Sequence, residues 1–458
     1  MRLNLNDIFN IPTATIYNPD NFRTVSSVSI DTRTIKKNSL YVAIKGAKHD
    51  GHRFIKDAIK KGANAVVINK NTLSKFDNIK IPIITVKNTT KALGDIAHIW
   101  RRKLNARIIS ITGSNGKTTT KEILVTILSS KYNVAYTKAN NNNHIGVPIT
   151  ILSANERHDF VILEHGTNHF NEIEYTTKIA EPDFAIITNI GDSHLEYLKN
   201  REGVYKEKSA LFEYTKINDG IIFVNLDDPI IKQHSKLYKN KVTFGFKNKP
   251  KSKGKIIGHT DDGKIILSVV FDKTSLNNPL PLYGEANAKN FLAAITIALT
   301  LGLSKDIILK SIEKVKSIKG RLNIIEKSNF ILIDDTYNAN PDSMKNAINV
   351  LTKVNKYKKK IVVLGDMFEL GEKSKDIHKK LSEIFSKNID LVLTLGKYMK
   401  ELHLTLSKSG IVSRHFTNRK QLNSYLNKLE ITNSVILIKG SRGMKMEEFI
   451  NTINNKES

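Results

Sequence analysis

Short apolar runs alternate with segments of helical periodicity along almost the whole chain. This alternation is typical of α/β domains, in which helices connect the parallel strands of a sheet. With 458 residues the chain is about three times as long as an ordinary domain of roughly 150 residues. We therefore predict an α/β protein with three domains: residues 1–87, residues 88–319 with a parallel sheet, and a Rossmann-like domain over residues 320–458. Residues 241–283 resemble alternating strands and turns, which predicts an antiparallel extension of the second sheet.

The composition excludes several classes of protein. The chain has no cysteine, so disulfides, thiolate zinc sites and a cysteine nucleophile are excluded. No apolar run approaches the roughly 18 residues that span a bilayer. The first residues show no basic segment followed by an apolar stretch, so we expect no secretory signal, no membrane insertion and a cytoplasmic protein.

The net charge of +28 raises the question of a nucleic-acid partner. The basic residues are scattered, and no arginine-rich tract or stripe of basic and aromatic residues is present. A coding bias toward Lys, Asn and Ile explains the charge more simply. We expect no nucleic-acid partner, and a basic surface also favours polyphosphate substrates.

The sharpest local signal is the segment IISITGSNGKTTTKEIL, in which a buried strand runs through a glycine-containing loop into a helix. Glycines let the backbone approach phosphoryl oxygens, and a helix N-terminus supplies N–H donors. Lys117 would neutralise phosphate charge, and the Thr118 hydroxyl would bind Mg²⁺. A strict Walker A pattern requires glycine where this chain has Ile111, so the loop is a shortened GxxGKTT variant. The residues of this phosphate loop are Gly113, Ser114, Asn115, Gly116, Lys117, Thr118 and Thr119.

Polar side chains follow two further apolar runs of the central block. DFVILEHG places Glu164 at the end of a strand, where carboxylates commonly bind Mg²⁺ or a water near a phosphate loop. AIITNIGDSHLEYL ends in a loop with Asn189, Asp192 and His194. The residues alone leave His194 open as a metal ligand or as a hydrogen-bonded loop histidine. In isolation, Lys208 in YKEKSALFE is interpreted as a solvated helix lysine.

The third block has polar residues at the ends of three predicted strands. LGDMFELG ends one strand, and IKGSRGMKMEEF, with Lys439 and Arg442, ends another. FILIDDTYNANPDSM ends a third, before a helix that starts with proline, and its polar residues are Asp334, Asp335, Tyr337, Asn338 and Asn340. Ligands bind at such edges of doubly wound sheets, so a shared cleft is predicted.

In their order along nearly the whole chain, these segments resemble the Mur ligases, the ATP-dependent amide-forming enzymes of peptidoglycan precursor synthesis. The motifs that carry the resemblance are SIDTR, the DGH loop, TGSNGKTTT, NNxxIGVP, a strand-end Glu, NIGDSHLEY, EKSALF, GEANAKNFLAA, KGRL, DDTYNANPDSM, LGDMFELG and KGSRG. DDTYNANPDSM and GDMFELG are most similar to the member that adds D-alanyl-D-alanine to UDP-N-acetylmuramoyl-tripeptide. The D-Y-A-H-T-P and DNPR segments of the tripeptide-forming member do not occur here.

The resemblance implies an ATP-dependent ligase that acts through an acyl-phosphate intermediate on those two partners, and we expect a monomer. It implies catalytic roles for Lys117, Glu164, His194 and Lys208. The implied ATP contacts are the phosphate loop together with Asn287, Asn290, Arg321, Asp335 and Asn338. The implied ligands of two Mg²⁺ ions are Thr118, Glu164, His194 and Lys208, with Lys208 carbamylated. The resemblance also implies that residues 1–87 form a UDP-sugar-binding domain. The implied contacts of the UDP-sugar are Asp31, Thr32, Arg33, Asn141, Asn142 and Asn143.

The sequence departs from the family pattern at four positions. His165 and His169 stand where an apolar and a small or polar residue are usual. Asn171 stands where glycine commonly precedes a Glu, and Ala286 replaces a frequent His.

Two alternatives remain open. One is another ligase of the superfamily, such as a folylpolyglutamate synthase or a different Mur enzyme, which the DDTYNANP segment disfavours. The other is a basic P-loop ATPase that binds nucleic acid, which leaves SIDTR, Lys208 and the third domain unexplained. An inactive scaffold is weakened by the presence of the phosphate-loop lysine and the candidate metal ligands. Since nucleotide contacts come from two domains, we expect the third domain to close over ATP only when substrates are bound.

Overall fold

A computed structural model describes residues 1–386 and 388–457. The chain forms three β-sheets with flanking helices, each built by a separate part of the sequence. The predicted α/β class with three domains is therefore confirmed.

The first sheet has the strand order β1-β5-β4-β3-β2, and all neighbours are parallel except the β1–β5 pair. Its strands are β1 (Thr15–Tyr17), β2 (Ser27–Ser29), β3 (Ser39–Val42), β4 (Ala63–Asn69) and β5 (Ile83–Val86). The helices of this region are α1 (Leu5–Phe9), α2 (Ile55–Lys60) and α3 (Thr89–Arg101).

The central sheet has nine strands in the order β14-β13-β12-β11-β10-β9-β6-β8-β7. The strands are β6 (Arg107–Thr112), β7 (Val134–Tyr136), β8 (Phe160–Glu164), β9 (Phe184–Ile187), β10 (Ile221–Asn225), β11 (Lys241–Gly245), β12 (Ser252–His259), β13 (Ile265–Phe271) and β14 (Thr274–Pro279). The helices are α4 (Lys117–Leu128), α5 (Gly146–Ser153), α6 (Glu172–Ala180), α7 (Leu195–Leu198), α8 (Arg201–Ile217), α9 (Pro229–His234), α10 (Glu285–Thr300) and α11 (Lys305–Ile312).

The antiparallel extension of this sheet is shorter than predicted. β11 is parallel to β10, and β12 is parallel to β11. Only the β12–β13 and β13–β14 pairs are antiparallel. The prediction was wrong for β11, which continues the parallel sheet before the hairpins begin.

The C-terminal sheet has the order β15-β16-β20-β17-β18-β19, with only β15 antiparallel to its neighbour. Its strands are β15 (Asn323–Glu326), β16 (Phe330–Asp335), β17 (Lys359–Gly365), β18 (Leu391–Leu395), β19 (Ser413–Phe416) and β20 (Ser434–Lys439). Its helices are α12 (Pro341–Lys353), α13 (Ser374–Lys380), α14 (Met399–Lys408), α15 (Arg419–Lys428) and α16 (Glu447–Asn454). None of the helices in the described residues is long and apolar enough to span a membrane.

One hydrophobic core joins the first sheet to the central sheet. It includes Val42 of β3, Trp100 of α3, and Ile108 and Leu163 of the central sheet, all at most 2% exposed. The indole N–H of Trp100 donates to the Ala154 carbonyl at 3.0 Å, which satisfies the one polar group of this side chain. The first two sheets therefore pack as one body.

The C-terminal sheet has its own core on each face. Ile331 and Ile333 of β16 face one core, and Phe330 and Leu332 face the other, as the alternation of side chains along a strand requires. This domain contacts the rest of the protein through Tyr283 of the central domain, which packs against its core, and through polar pairs. Examples are the hydrogen bond from Asn340 Nδ2 to Asn115 Oδ1 at 2.9 Å and the ion pairs Lys353–Glu285 and Arg201–Asp342.

Candidate active site

The phosphate loop connects β6 to α4 at the carboxyl edge of the central sheet. Gly113 and Gly116 have φ angles of 145° and 82°, which residues with a side chain rarely adopt. A Cβ atom at Gly113 would collide with Thr188, and one at Gly116 would collide with Asn290. Because Gly116 has no side chain to cap α4, the first N–H groups of this helix are available to an anion.

Asn189 holds the phosphate loop against the end of β9. Its Oδ1 accepts the Asn115 N–H at 3.0 Å, and its Nδ2 donates to the Asn115 carbonyl at 2.9 Å. The Ser114 N–H donates to the Asn189 carbonyl at 3.0 Å. Lys117 Nζ donates to the Gly113 carbonyl at 2.8 Å, and burial lowers the pKa of Lys117 from its ordinary value. Hydrogen bonds from Asn189 and Lys117 therefore fix the conformation of the phosphate loop.

Glu164 ends β8, next to the phosphate-loop strand, and is 1% exposed. Its Oε1 accepts from Asn142 Nδ2 at 2.9 Å. Its Oε2 is buried and has no hydrogen-bond partner among the described residues. A buried carboxylate oxygen without a partner is costly unless a cation or a donor compensates it. Glu164 therefore fits the role of a ligand for a hard cation such as Mg²⁺.

The described residues contain no group of three or more His, Asp or Glu side chains arranged to hold a metal ion. Mg²⁺ commonly takes only one or two protein carboxylates and completes its shell with substrate phosphates and water. The donors here, one carboxylate beside a phosphate loop, fit a cation that enters with a polyphosphate.

Lys208 of α8 is only 1% exposed. Burial and the positive charge of Lys117 lower the pKa of Lys208 to about 7. The interpretation of Lys208 as a solvated lysine is therefore wrong. The neighbouring Glu207 is also buried, and it accepts N–H groups of Asn171 at 2.6 Å and Ile173 at 2.8 Å, at the start of α6.

His194 lies in the loop after β9 and contacts the C-terminal domain. Its Nδ1–H donates to Glu369 Oε2 at 2.5 Å. Burial lowers the pKa of His194, although the hydrogen bond to Glu369 opposes this shift. The same hydrogen bond lowers the pKa of Glu369.

The C-terminal domain contributes a buried ion pair to the site. Lys439 Nζ lies 2.6 Å from Asp335 Oδ2 and also donates to the Asn338 carbonyl at 2.8 Å. The Arg321 guanidinium lies 4.0 Å from the centre of the Tyr337 ring. The Lys439 contacts hold the end of β20 against the end of β16 and the loop that follows it.

A cleft of about 480 Å³ lies between the ends of the central and C-terminal sheets. It brings together predicted residues from both domains. Those that line it are Ser114, Asn115, Gly116, Lys117, Thr119, Asn142, Asn143, Glu164, His194, Asn287, Asn290, Arg321, Asp335 and Asn338.

The other predicted site residues do not line this cleft. Gly113 and Thr118 belong to the phosphate loop, Lys208 is buried, and Asn141 precedes two lining residues. Asp31, Thr32 and Arg33 follow β2 of the first sheet, where Arg33 forms an ion pair with Asp31 at 2.6 Å. The structure therefore does not bring the SIDTR residues to the cleft.

Comparison with protein families gives three matches in chain order. Residues 24–101 match the Mur ligase family, catalytic domain; residues 111–298 match the Mur ligase middle domain; and residues 320–442 match the Mur ligase, glutamate ligase domain. The chain belongs to the Mur ligase family.

Curated relatives of this Mur ligase match over nearly their whole length. UDP-N-acetylmuramoyl-tripeptide--D-alanyl-D-alanine ligase from Haemophilus influenzae is 36% identical, with 94% of each chain covered. The enzyme of the same name from Bacillus subtilis is 34% identical, with 95% of each chain covered. The resemblance predicted from the motifs is thus confirmed.

Solved structures agree with the sequence comparison. MurF from Acinetobacter baumannii is 29% identical, covers 99% of both chains and superposes with a TM-score of 0.88. MurF ligase from Thermotoga maritima in complex with ADP is 27% identical, covers 94% of this chain and 98% of that one, and superposes with a TM-score of 0.82. The Mur ligase fold predicted for this chain is therefore confirmed.

Some lining residues of this Mur ligase were not selected from its sequence. Thr167, Asn168 and Glu172 line the cleft directly after the β8 strand that ends in Glu164. Glu172 Oε2 accepts the Asn168 N–H at 2.7 Å and so shapes this loop. Their position in the sequence could have identified them, because they follow the end of β8, where Glu164 was already a candidate metal ligand.

Two departures from the family pattern have physical explanations. His165 is fully buried, hydrogen-bonded to Thr176 and Ser110, and burial lowers its pKa to about 3. It is therefore a neutral core histidine. Asn171 has a φ angle of 72°, a conformation that glycine adopts freely and asparagine tolerates better than most residues.

Proposed function

We propose that this chain is an ATP-dependent ligase that joins D-alanyl-D-alanine to UDP-N-acetylmuramoyl-tripeptide in peptidoglycan precursor synthesis, with release of ADP and phosphate. The observation that carries the proposal is the cleft in which Lys117, Glu164 and His194 of the central domain face Arg321 and Asp335 of the C-terminal domain. The names of the full-length relatives support the choice of substrates.

ATP is proposed to bind across the two domains. The phosphate loop and Lys117 would hold the phosphates, because the uncapped start of α4 and the lysine offset negative charge. Arg321 would contact the γ-phosphate, and Asp335 with Asn338 the ribose and phosphates. Asn287 and Asn290 would lie near the base.

Thr118, Glu164, His194 and Lys208 are the proposed ligands of two Mg²⁺ ions. The partnerless Oε2 of Glu164 supports its place in this set. Bound Mg²⁺ would supply positive charge that offsets the phosphoryl oxygens. An ordinary ammonium of Lys208 cannot act as a ligand, so its role requires a carbamate.

Carbamylation of Lys208 is therefore part of the proposal. The neutral amine attacks carbon dioxide, forms a C–N bond and loses a proton, which leaves a carboxylate. Burial of the side chain favours the neutral amine. The nearby ammonium of Lys117 would then stabilise the new negative charge.

The reaction is proposed to have two steps. The tripeptide carboxylate attacks the γ-phosphate, which breaks the bond to ADP and forms an acyl phosphate. The dipeptide amine then attacks the acyl carbon, loses a proton and displaces phosphate. Lys117 and Arg321 would stabilise the charge of the transferring group, since phosphoryl transfer depends mainly on positioning and charge neutralisation. Closure of the C-terminal domain would exclude water from the acyl phosphate.

The remaining assignments belong to the same proposal. Residues 1–87, 88–319 and 320–458 are the UDP-sugar, ATP and ligase domains of a cytoplasmic monomer. Asp31, Thr32 and Arg33 would bind the UDP-sugar together with Asn141, Asn142 and Asn143. Asn142 and Asn143 already line the cleft, which places this segment beside the phosphate loop.

The decisive experiment measures phosphate release from ATP and Mg²⁺ by the purified protein. UDP-N-acetylmuramoyl-tripeptide and D-alanyl-D-alanine are omitted in turn, and nucleic acid is added separately. We expect release only with both substrates, and a product heavier by the dipeptide. Release with other amino acids or with a folate substrate would indicate another ligase. Release stimulated only by nucleic acid would contradict the proposal.

A further inference from the structure

Glu369 extends from the C-terminal domain to the loop that carries His194. It follows β17 in the segment LGDMFELG, 175 residues after its partner in the chain. Its carboxylate accepts the Nδ1–H of His194 at 2.5 Å, and its carbonyl accepts the N–H of Glu196 at 3.1 Å. One residue of the C-terminal domain is thus bound to His194 through its side chain and to the adjoining helix α7 through its main chain.

Both members of this pair have a left-handed backbone. The φ angle is 62° at Glu369 and 54° at His194. Non-glycine residues keep this conformation where the surrounding structure enforces it, and such residues concentrate at functional sites. The side chains are 39% and 19% exposed, and an ion pair at that exposure adds little to folding stability. A contribution to folding stability therefore does not explain why His194 and Glu369 are paired.

The hydrogen bond at Nδ1 decides which ring nitrogen of His194 is available. His194 lines the cleft, and its Nδ1 is engaged by Glu369, so Nε2 is the ring atom left for a ligand. A carboxylate on the far nitrogen of a metal-binding histidine fixes the tautomer and the ring orientation, and makes the free nitrogen a better ligand.

We propose that Glu369 is a positioning residue that orients Nε2 of His194 toward a divalent cation in the cleft. Because Glu369 belongs to the C-terminal domain, this ligand is complete only when that domain is docked on the central domain. The inference rests on the proposed function only in requiring ATP and a divalent cation in this cleft.

The test uses Mn²⁺ as the probe, with the full chain and a non-hydrolysable ATP analogue, and no peptide substrate. Electron paramagnetic resonance gives the Mn²⁺ affinity and the hyperfine coupling of a bound imidazole nitrogen. Glu369→Ala should weaken Mn²⁺ binding about 10-fold or more and diminish the nitrogen coupling. Glu369→Gln keeps an acceptor oxygen for Nδ1–H and should restore much of both. His194→Ala should remove the nitrogen coupling.

Glu372→Ala is the matched control, because Glu372 is an exposed carboxylate three residues later in the chain, just after this segment. It should leave Mn²⁺ affinity and nitrogen coupling unchanged. Thermal unfolding of each variant reports on stability separately. The proposal is overturned if Glu369→Ala binds Mn²⁺ as tightly as the unmodified chain, or if Glu372→Ala loses as much Mn²⁺ affinity as Glu369→Ala. It is also overturned if His194→Ala keeps the nitrogen coupling. Since no peptide is present, a wrong substrate assignment would not change these results.

Discussion

Lys439 and Asp335 form an ion pair of 2.6 Å whose side chains are 2% and 12% exposed. Lys439→Met would leave Asp335 buried without its cation, so we expect the C-terminal domain to lose about 3–5 kcal/mol in its free energy of unfolding. Lys353→Met breaks a pair with Glu285 whose side chains are more than half exposed, and should cost no more than about 1 kcal/mol. Urea denaturation of both variants checks this. Equal losses of unfolding free energy in the two variants would contradict the explanation that burial makes the Lys439–Asp335 pair the more costly one to break.

Gly113→Ala should abolish binding of ATP analogues. The new Cβ would collide with Thr188, and the φ angle of 145° would add about 1–3 kcal/mol of strain. Gly410→Ala is the control, because Gly410 also has a positive φ angle but no atom within 4 Å of the new Cβ. Calorimetric titration with an ATP analogue should give no binding for the first variant and normal binding for the second. Normal binding of the ATP analogue by Gly113→Ala would show that the phosphate loop does not require glycine at this position.

Lys208 should carry a carbamate when the protein is equilibrated with ¹³C-labelled bicarbonate. We expect a carbamate carbon signal in the NMR spectrum that is absent in Lys208→Arg. Lys206→Arg changes an exposed lysine of the same helix and should keep the signal. A signal that survives in Lys208→Arg, or is absent from the unmodified chain, would exclude the proposed ligand.

Glu181 should contribute to stability in a pH-dependent way. Burial raises its pKa, but hydrogen bonds from Arg102 and His98 outweigh this and leave the pKa below its ordinary value. The unfolded state therefore binds the proton more readily, and the contribution is present above about pH 4.5 and is lost as pH falls through the folded pKa. Glu181→Gln should lose about 1 kcal/mol at pH 7, and this deficit should disappear in acid.

The check on Glu181 is denaturant unfolding of both chains across that pH range. Glu174→Gln removes a carboxylate that pairs with Lys178 on the surface and should show a smaller deficit. A deficit for Glu181→Gln that is constant with pH would contradict the electrostatic explanation.

The radius of gyration should fall when an ATP analogue and both peptide substrates are added together. The expected cause is further closure of the C-terminal domain from the position in which Asn340 already donates to Asn115 and Glu369 already contacts His194. Small-angle X-ray scattering with each ligand omitted in turn measures this. Identical profiles in all samples would count against closure.

The sequence predicted the fold class because buried parallel strands form continuous apolar runs, as in ILIDD before Asp335. It also predicted the strand-end residues of the cleft, such as Glu164 and Asp335, since parallel strands place their carboxyl ends on one edge. Residues such as Asn287 and Arg321 were predicted only from the family resemblance. The burial of Lys208 and the contact between His194 and Glu369 were not predictable in this way. Both depend on packing between segments that are distant in the chain, and local periodicity carries no information about such contacts. The place of SIDTR outside the cleft depends equally on how the first sheet packs.

The two cores of the C-terminal sheet are separate from the core shared by the first two sheets, and the chain passes between these bodies once, between Ile312 and Asn323. A cut in that connection separates these cores, apart from Tyr283 of the central domain, which packs against the C-terminal core. Exchange of the C-terminal domain for that of a relative would therefore keep its two cores intact, but polar pairs such as Asn340–Asn115 and the apolar contact of Tyr283 would need to be matched at the junction.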